Sequence, residues 1–316
     1  MRFPLAALLA LAAVAPVAAD GAAPQAGRPT FRASVDRVTV TAVVHRRNGE
    51  LVTGLTRDDF TVLDNGIARP ILEFRSEPAP ATVALLVDFS GSMSVAAKMT
   101  AARATASEVV KGLRPGVDRV GLYAFDTTLH ELLPFEPAPA RVLERFATIK
   151  PFGSTSLYDA IAETGKLLAE DAGTRRAIVA LTDGGENASR LSVAQVTRSA
   201  SAIDVPVYII VVVSPLDRDT KSDDETHAAA RALGESHLGN LAHWTGGEVF
   251  LAADHMKATA AAAQIVDELR HQYFIVFAPD ATRPGWHSID VRTRDKNLVV
   301  GSRSGYVAQD QTSSAR

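Results

Sequence analysis

The sequence predicts an α/β fold: a doubly wound, mostly parallel sheet with helices on both faces, and a small β-sandwich-like appendage built from the two ends of the chain. Three observations predict it. Between residues 79 and 272, apolar β-rich runs at 83–87, 119–125, 176–182, 205–213 and 248–251 alternate with helix-like stretches, the pattern of a parallel sheet with crossover helices. The first of these runs, Val83 to Val87, is apolar at every position, as a strand covered on both faces must be. Before residue 78 and after residue 273 the pattern changes to β-branched segments separated by Asn-Gly and Pro-Gly turns, without a helical period.

The elements follow in order. Met1-Arg2 gives a positive start, 3–17 is apolar and alanine-rich, and Val17-Ala18-Ala19 before Asp20 fits the small-x-small cleavage rule, so 1–19 reads as a signal peptide. Its apolar core is short for a membrane span, and no other stretch reads as one. The mature chain is therefore expected outside the cytoplasm, periplasmic or extracellular, with no membrane span. Residues 20–30 are an Ala-, Pro- and Gly-rich linker expected to be disordered. An N-terminal β unit fills 31–78: a strand over 35–44, a turn at Arg47-Asn48-Gly49-Glu50, a strand over 59–64 closed by Asn65-Gly66, and a third over 67–74. Pro78 and Pro80 mark the boundary to the main domain, 79–272.

In that domain, helices are expected over 94–113, 140–149, 157–170, 192–202 and 258–271, with a charged, helical insertion over 221–244 and an antiparallel strand over 129–134. Three strands, 273–278, 286–293 and 298–306, close the chain before a polar tail at 309–316. Strands at both ends need partners for their apolar faces, so the C-terminal strands (273–308) are expected to pack with the N-terminal unit.

Composition narrows the function. The chain has 316 residues, 47% of them apolar, and a formal net charge of −3 without long charged blocks. No strong field favours nucleic acid or an anionic membrane. Cysteine is absent, which excludes disulfides, thiolate zinc sites and cysteine nucleophiles.

The chemistry sits where strands end. Asp88-x-Ser90-x-Ser92 follows the 83–87 run directly and places a carboxylate and two hydroxyls in one turn. Hard oxygens in a tight loop suit Mg²⁺ or a similar cation; an ordinary polar turn with a serine cap uses the same residues. Thr155 stands in a Gly-containing loop before a helix, and Asp183 ends a β-branched strand. If all three belong to one sheet, Asp88, Ser90, Ser92, Thr155 and Asp183 converge on one edge, where ligand sites of open α/β sheets lie.

These segments resemble, in order, the loops of the metal-ion-dependent adhesion site (MIDAS) of Rossmann-like von Willebrand factor type A domains. The resemblance implies that the hydroxyls of Ser90, Ser92 and Thr155 ligate a divalent cation while Asp88 and Asp183 act mostly through water or hydrogen bonds. It departs at Ser154, where glycine is more usual. Val52-Thr-Gly-Leu-Thr, Asp64-Asn-Gly66, Trp286-His-Ser-Ile-Asp-Val and Arg303-Ser-Gly-Tyr306 extend it, over 31–307, to a bacterial, acidobacterial-type family of secreted von Willebrand factor A-related proteins.

Together these features imply a secreted, non-enzymatic binding module. The cation would be Mg²⁺, with Mn²⁺ or Ca²⁺ equally acceptable to hard oxygens. The partner would be a protein supplying an Asp or Glu carboxylate to the under-neutralised ion, aided by helix N-termini near Ser94 and Ser156. A metal-dependent hydrolase of phosphate or ester groups and a scaffold with a vestigial site are the alternatives. Ser90 lacks the first glycine of a Gly-x-Ser-x-Gly elbow. His227, His237 and His243 match no HExxH spacing, and Asp217, Asp219, Asp223 and Asp224 lack the glycine and glutamate of an EF-hand loop. Asp126 is a candidate for the rim of the cation edge. Asn187-Ala-Ser189 is a glycosylation sequon with no role assigned.

Overall fold

The structure is a computed structural model. It describes residues 37–308, except 95–97, 138, 148–152, 171–174, 203, 214–222 and 281–282, and the side chains of 139 and 223–227 are not described. The segments expected to be a signal peptide, a linker and a tail, Asp217 and Asp219, and the side chains of Asp223, Asp224 and His227 lie outside the described residues.

In chain order the strands are β1 (Val38–Arg46), β2 (Phe60–Asp64), β3 (Ile67–Arg69), β4 (Ile71–Arg75), β5 (Ala81–Asp88), β6 (Arg119–Phe125), β7 (Leu129–Glu136), β8 (Arg175–Thr182), β9 (Val207–Val212), β10 (Val249–Ala252), β11 (Tyr273–Phe277), β12 (Gly285–Thr293), β13 (Leu298–Ser302) and β14 (Gly305–Ala308). The helices are α1 (Lys98–Gly112), α2 (Pro139–Phe146), α3 (Leu157–Glu170), α4 (Val193–Ala202), α5 (Asp223–Gly234), α6 (His237–Thr245) and α7 (His255–His271).

Six strands form the main sheet in the order β10-β9-β8-β5-β6-β7. All neighbours run parallel except the edge strand β7. Every residue of β5 is buried. Val83, Leu85 and Val87 pack with residues of α1, α2 and α7 on one face, and Ala84 and Leu86 with residues of α3, α4 and α6 on the other. That division is the period-two pleat read through an all-apolar strand. The chain moves from β5 to β6 on one side and then returns to β8 on the other, so the strand order reverses at β5. The crevice beyond the carboxyl ends of β5 and β8 is the expected ligand position of such a sheet.

The appendage is built from both ends, as the predicted fold class requires. Two four-stranded sheets, β13-β1-β11-β4 and β14-β12-β2-β3, share one apolar core that includes Val40, Val62, Tyr273, Phe277 and Val291. Their named pairings are antiparallel. Asn65 and Gly66 both have positive φ, 49° and 79°, the backbone that a two-residue turn between β2 and β3 demands. Within the core, buried Asp64 accepts hydrogen bonds from His287 Nδ1 (2.8 Å) and the Tyr306 hydroxyl (3.0 Å). This ties β2 to β12 and β14.

Several expected boundaries shift, each for a local reason. The segment read as one strand over 67–74 breaks at Pro70, which has no N–H for a ladder, and β3 and β4 enter different sheets. The segment over 298–306 breaks at Arg303-Ser304 for the same structural purpose, with β13 and β14 in opposite sheets. The helical insertion over 221–244 is two helices, separated where Ser236 caps α6 by accepting from the Gly239 N–H. In the segment expected to be helical over 94–113, Gly91–Ser94 forms a 3₁₀ turn and α1 is described over Lys98–Gly112.

The end of the sheet opposite the crevice is held by arginines. Arg270 donates to the Gly112 carbonyl at the end of α1, Arg176 to the Leu168 carbonyl near the end of α3 and Arg303 to the Ser201 carbonyl of α4 (2.6 Å). Arg175 donates to the Leu269 and Gln272 carbonyls at the end of α7 (3.1 and 3.0 Å) and to the Glu77 carbonyl (2.6 Å). A helix C-terminus leaves carbonyls without partners and carries a partial negative charge, and a guanidinium answers both. Among the described residues, no helix is long and apolar enough to cross a membrane.

Candidate metal centre

The three predicted loops meet at the carboxyl ends of β5 and β8. Asp88 is the last residue of β5 and is fully buried. Its Oδ1 accepts from the Ser90 N–H at 2.8 Å, and its Oδ2 from the Thr182 hydroxyl at 2.7 Å. The Thr182 hydroxyl accepts in turn from the Gly184 N–H (3.1 Å). Ser90 and Ser92 place their Oγ atoms 3.0 Å apart, as a loop turning back on itself after a strand allows.

The second loop is stitched to the first and third by backbone. Gly91 N–H donates to the Gly153 carbonyl (2.9 Å), and the N–H groups of Asn187 and Ala188 donate to the Thr155 carbonyl (3.1 and 3.0 Å). Asn187 Oδ1 accepts from the Thr155 N–H at 3.0 Å. Gly153 has φ 101°, and a side chain there would crowd Asp126, so glycine is required on both counts. A β-carbon on Gly185 would lie 3.3 Å from Asp183 Oδ1 and 3.8 Å from Thr155 Oγ1, which sets those two oxygens around one small space. All five residues singled out in the sequence therefore share one edge of the sheet.

Residues outside the motifs fix the loops. Glu186 accepts from the Ser189 hydroxyl (2.8 Å) and the Tyr158 N–H (3.2 Å), and Ser189 Oγ accepts from the Tyr158 N–H (3.0 Å). The sequon pair Asn187 and Ser189 thus holds the third loop against the start of α3, a role no composition signal marks. Glu186 also corrects an expectation. The α3 N-terminus near Ser156 is met by this chain's own carboxylate through the Tyr158 N–H, which offsets part of its positive pole. Asp126 lies at the rim, with its carboxylate on the Thr128 N–H (2.9 Å) and His130 Nε2 (3.4 Å).

Lys98, which no sequence argument selected, enters the site. Its Nζ donates to Asp183 Oδ2 at 2.8 Å. The two carboxylates consequently behave in opposite ways. Burial, aided by the nearby charge of Asp183, pushes the Asp88 carboxyl up, and the hydrogen bonds from Ser90 and Thr182 offset only part of it. Burial also acts to raise Asp183, but bonds from Lys98, Ser92 and the Gly185 N–H outweigh it and hold that carboxyl below its ordinary value.

The signs separate in a titration. A raised carboxyl stabilises the fold below its unfolded pKa and loses that contribution as pH rises through the folded value. The lowered Asp183 loses its contribution only as pH falls through its depressed value. In EDTA, the unfolding free energy of wild type is therefore expected to drop more between pH 4 and pH 7 than that of Asp88→Ala. Urea unfolding at stepped pH measures both, and parallel curves would rule out a charged, uncompensated Asp88.

The donor set fits a hard divalent cation. Three hydroxyls and two carboxylates are all oxygen. Asp88 is a buried carboxylate whose bonds come from neutral donors, the condition a cation relieves. Among the described residues no cluster of three or more His, Cys, Asp or Glu side chains is arranged to hold a metal; the candidate donors at this edge are mostly hydroxyls. The Ser90 hydroxyl lies 3.0 Å from Ser92 Oγ and also bonds the Asp88 carboxylate.

Residues 83–186 match the profile of the von Willebrand factor type A domain. No curated protein matches the chain. An aerotolerance-related membrane protein from Bacteroides fragilis NCTC 9343 aligns at 21% identity and TM-score 0.47 over 60% of this chain and 98% of that one. A von Willebrand factor type A structure from Catenulispora acidiphila aligns at 12% identity and TM-score 0.47 over 89% of this chain and 75% of that one. The vWF domain of the type V pili tip protein Mfa5 from Porphyromonas gingivalis aligns at 22% identity and TM-score 0.32, over 34% of this chain and 39% of that one.

Proposed function

We infer that this chain, which carries a von Willebrand factor type A domain over residues 83–186, is an exported binding module that captures a protein partner's carboxylate through a divalent cation. The observation that carries the reading is Asp88: a fully buried carboxylate among hydroxyls, bonded by neutral donors at the switch point of the sheet. Ser90, Ser92 and Thr155 would hold the ion, with Asp88 and Asp183 supporting it from behind. Mg²⁺ is the expected occupant, and Mn²⁺ or Ca²⁺ would serve. Neutral hydroxyl ligands leave such an ion with charge to spare, which is what a partner's Asp or Glu would satisfy. Export rests on the leader-like 1–19.

The test is capture from a cell-surface fraction of the source organism. Retention of a partner should require Mg²⁺, vanish in EDTA, fall on Thr155→Ala and be competed by an Asp-containing peptide. A partner held equally well in EDTA and by Thr155→Ala would sink the cation-bridged reading.

A further inference from the structure

We propose that Lys98 is a built-in counter-cation of this site, loosening its hold on the divalent ion while strengthening the pull of the loaded site on a carboxylate. The inference rests on the reading above and deepens it.

The geometry is specific. Lys98 is the first residue of α1, and its Nζ lies 2.8 Å from Asp183 Oδ2. Both side chains are mostly withdrawn from solvent, at 19% and 7% exposure, so water screens the pair less than it would a surface pair. Ser92, one of the hydroxyl donors, also bonds Asp183. The ammonium therefore acts on the same carboxylate that backs the ion's donors. Asp88, by contrast, is bonded by the Ser90 N–H and the Thr182 hydroxyl.

Charge counting gives the sign. Asp88 and Asp183 bring two negative charges and Lys98 one positive, leaving the set at −1. A divalent ion takes it to +1, and an incoming carboxylate to zero. Without the ammonium the same steps run −2, zero and −1. The lysine thus opposes the metal and favours the anion. Since Glu186 already occupies the start of α3, Lys98 is the positive group that remains beside the donors among the described residues of these loops.

The experiment titrates Mn²⁺ into wild type, Lys98→Met and Lys98→Arg, following free ion by electron paramagnetic resonance. Each Mn²⁺-loaded protein is then titrated with sodium acetate, with water-proton relaxation reporting displaced inner water. Circular dichroism confirms that each variant is folded. Lys98→Met should bind Mn²⁺ at least about tenfold more tightly, within the roughly thousandfold limit that one close charge pair at an effective dielectric of about 20 would set. It should bind acetate several-fold more weakly, and Lys98→Arg should stay near wild type in both. Wild type that binds Mn²⁺ with Lys98→Met unchanged, or with both affinities moving in the same direction, overturns the inference alone. Absence of Mn²⁺ binding in every protein removes the cation reading itself and the inference with it.

Discussion

Mg²⁺ at about 100 times its dissociation constant is expected to add about 2.7 kcal/mol to the unfolding free energy of the wild-type chain and nothing to that of Asp88→Ala. For a domain of this size that is a rise of roughly 5–10 °C in Tm. The folded state gathers oxygens from after β5, before α3 and after β8, and the unfolded chain scatters them, so the ion binds the folded state preferentially. Asp88 decides the effect because its buried charge has neutral donors on both oxygens, and the ion answers it. Asp126→Ala is the control. Its carboxylate is engaged with Thr128 and His130 at the rim, so the Mg²⁺ response should survive. Differential scanning calorimetry settles the matter, and equal shifts in wild type and Asp88→Ala would count against a site built on Asp88.

Replacing Arg303 should cost still more. Arg303→Met is expected to destabilise the chain by about 3–5 kcal/mol, the range for breaking one side of a buried ion pair. The guanidinium, 5% exposed, donates to the Ser201 carbonyl at 2.6 Å and the Ala202 carbonyl at 3.2 Å, and also to the Thr39 carbonyl. It lies 3.3 Å from Asp204 Oδ1. One residue thus closes the end of α4, neutralises Asp204 and fastens β1 of the appendage. Methionine keeps most of the volume but leaves the Ser201 carbonyl to the longer Asp204 N–H bond (3.3 Å) and the buried Asp204 carboxylate to the neutral donors of Thr41. Urea unfolding with and without Mg²⁺ measures the loss, and a change below about 1 kcal/mol, the scale of a surface pair, would show that the junction is wetter than its geometry implies.

The sheet was legible because burial on both faces writes itself into composition. Val83 to Val87 could hardly be anything but a central strand, and the polar stop at Asp88 marked the end where ligands gather. The gathering of Asp88, Ser90, Ser92, Thr155 and Asp183 on one edge was legible because each stands directly after a strand or before a helix, where spacing in the sequence maps onto position in the fold. Lys98 was not, because its role depends on how α1 starts relative to β8, a tertiary relation with no period. Glu186, Asn187 and Ser189 escaped for the same reason. Arg303 stood in the sequence within the Arg303-Ser-Gly-Tyr306 motif, but its anchoring role did not show, because an arginine between two strand-like runs looks solvent-facing; only the separation of β13 and β14 into opposite sheets turns it inward. The break at Pro70 was readable in principle, since proline interrupts a ladder.

The parallel arrangement around β5 bears on how the molecule would carry a pull. A partner gripping the loop after Asp88 draws on the upper end of β5, while the chain is attached to the appendage near Ala81, at that strand's other end. Tension between the two runs lengthwise down β5, whose flanking hydrogen bonds to β6 and β8 are then loaded in shear, many at once, rather than peeled apart singly. The layout that gathers these oxygens at one end of β5 would thus spread a lengthwise load over the hydrogen bonds of two neighbouring strands.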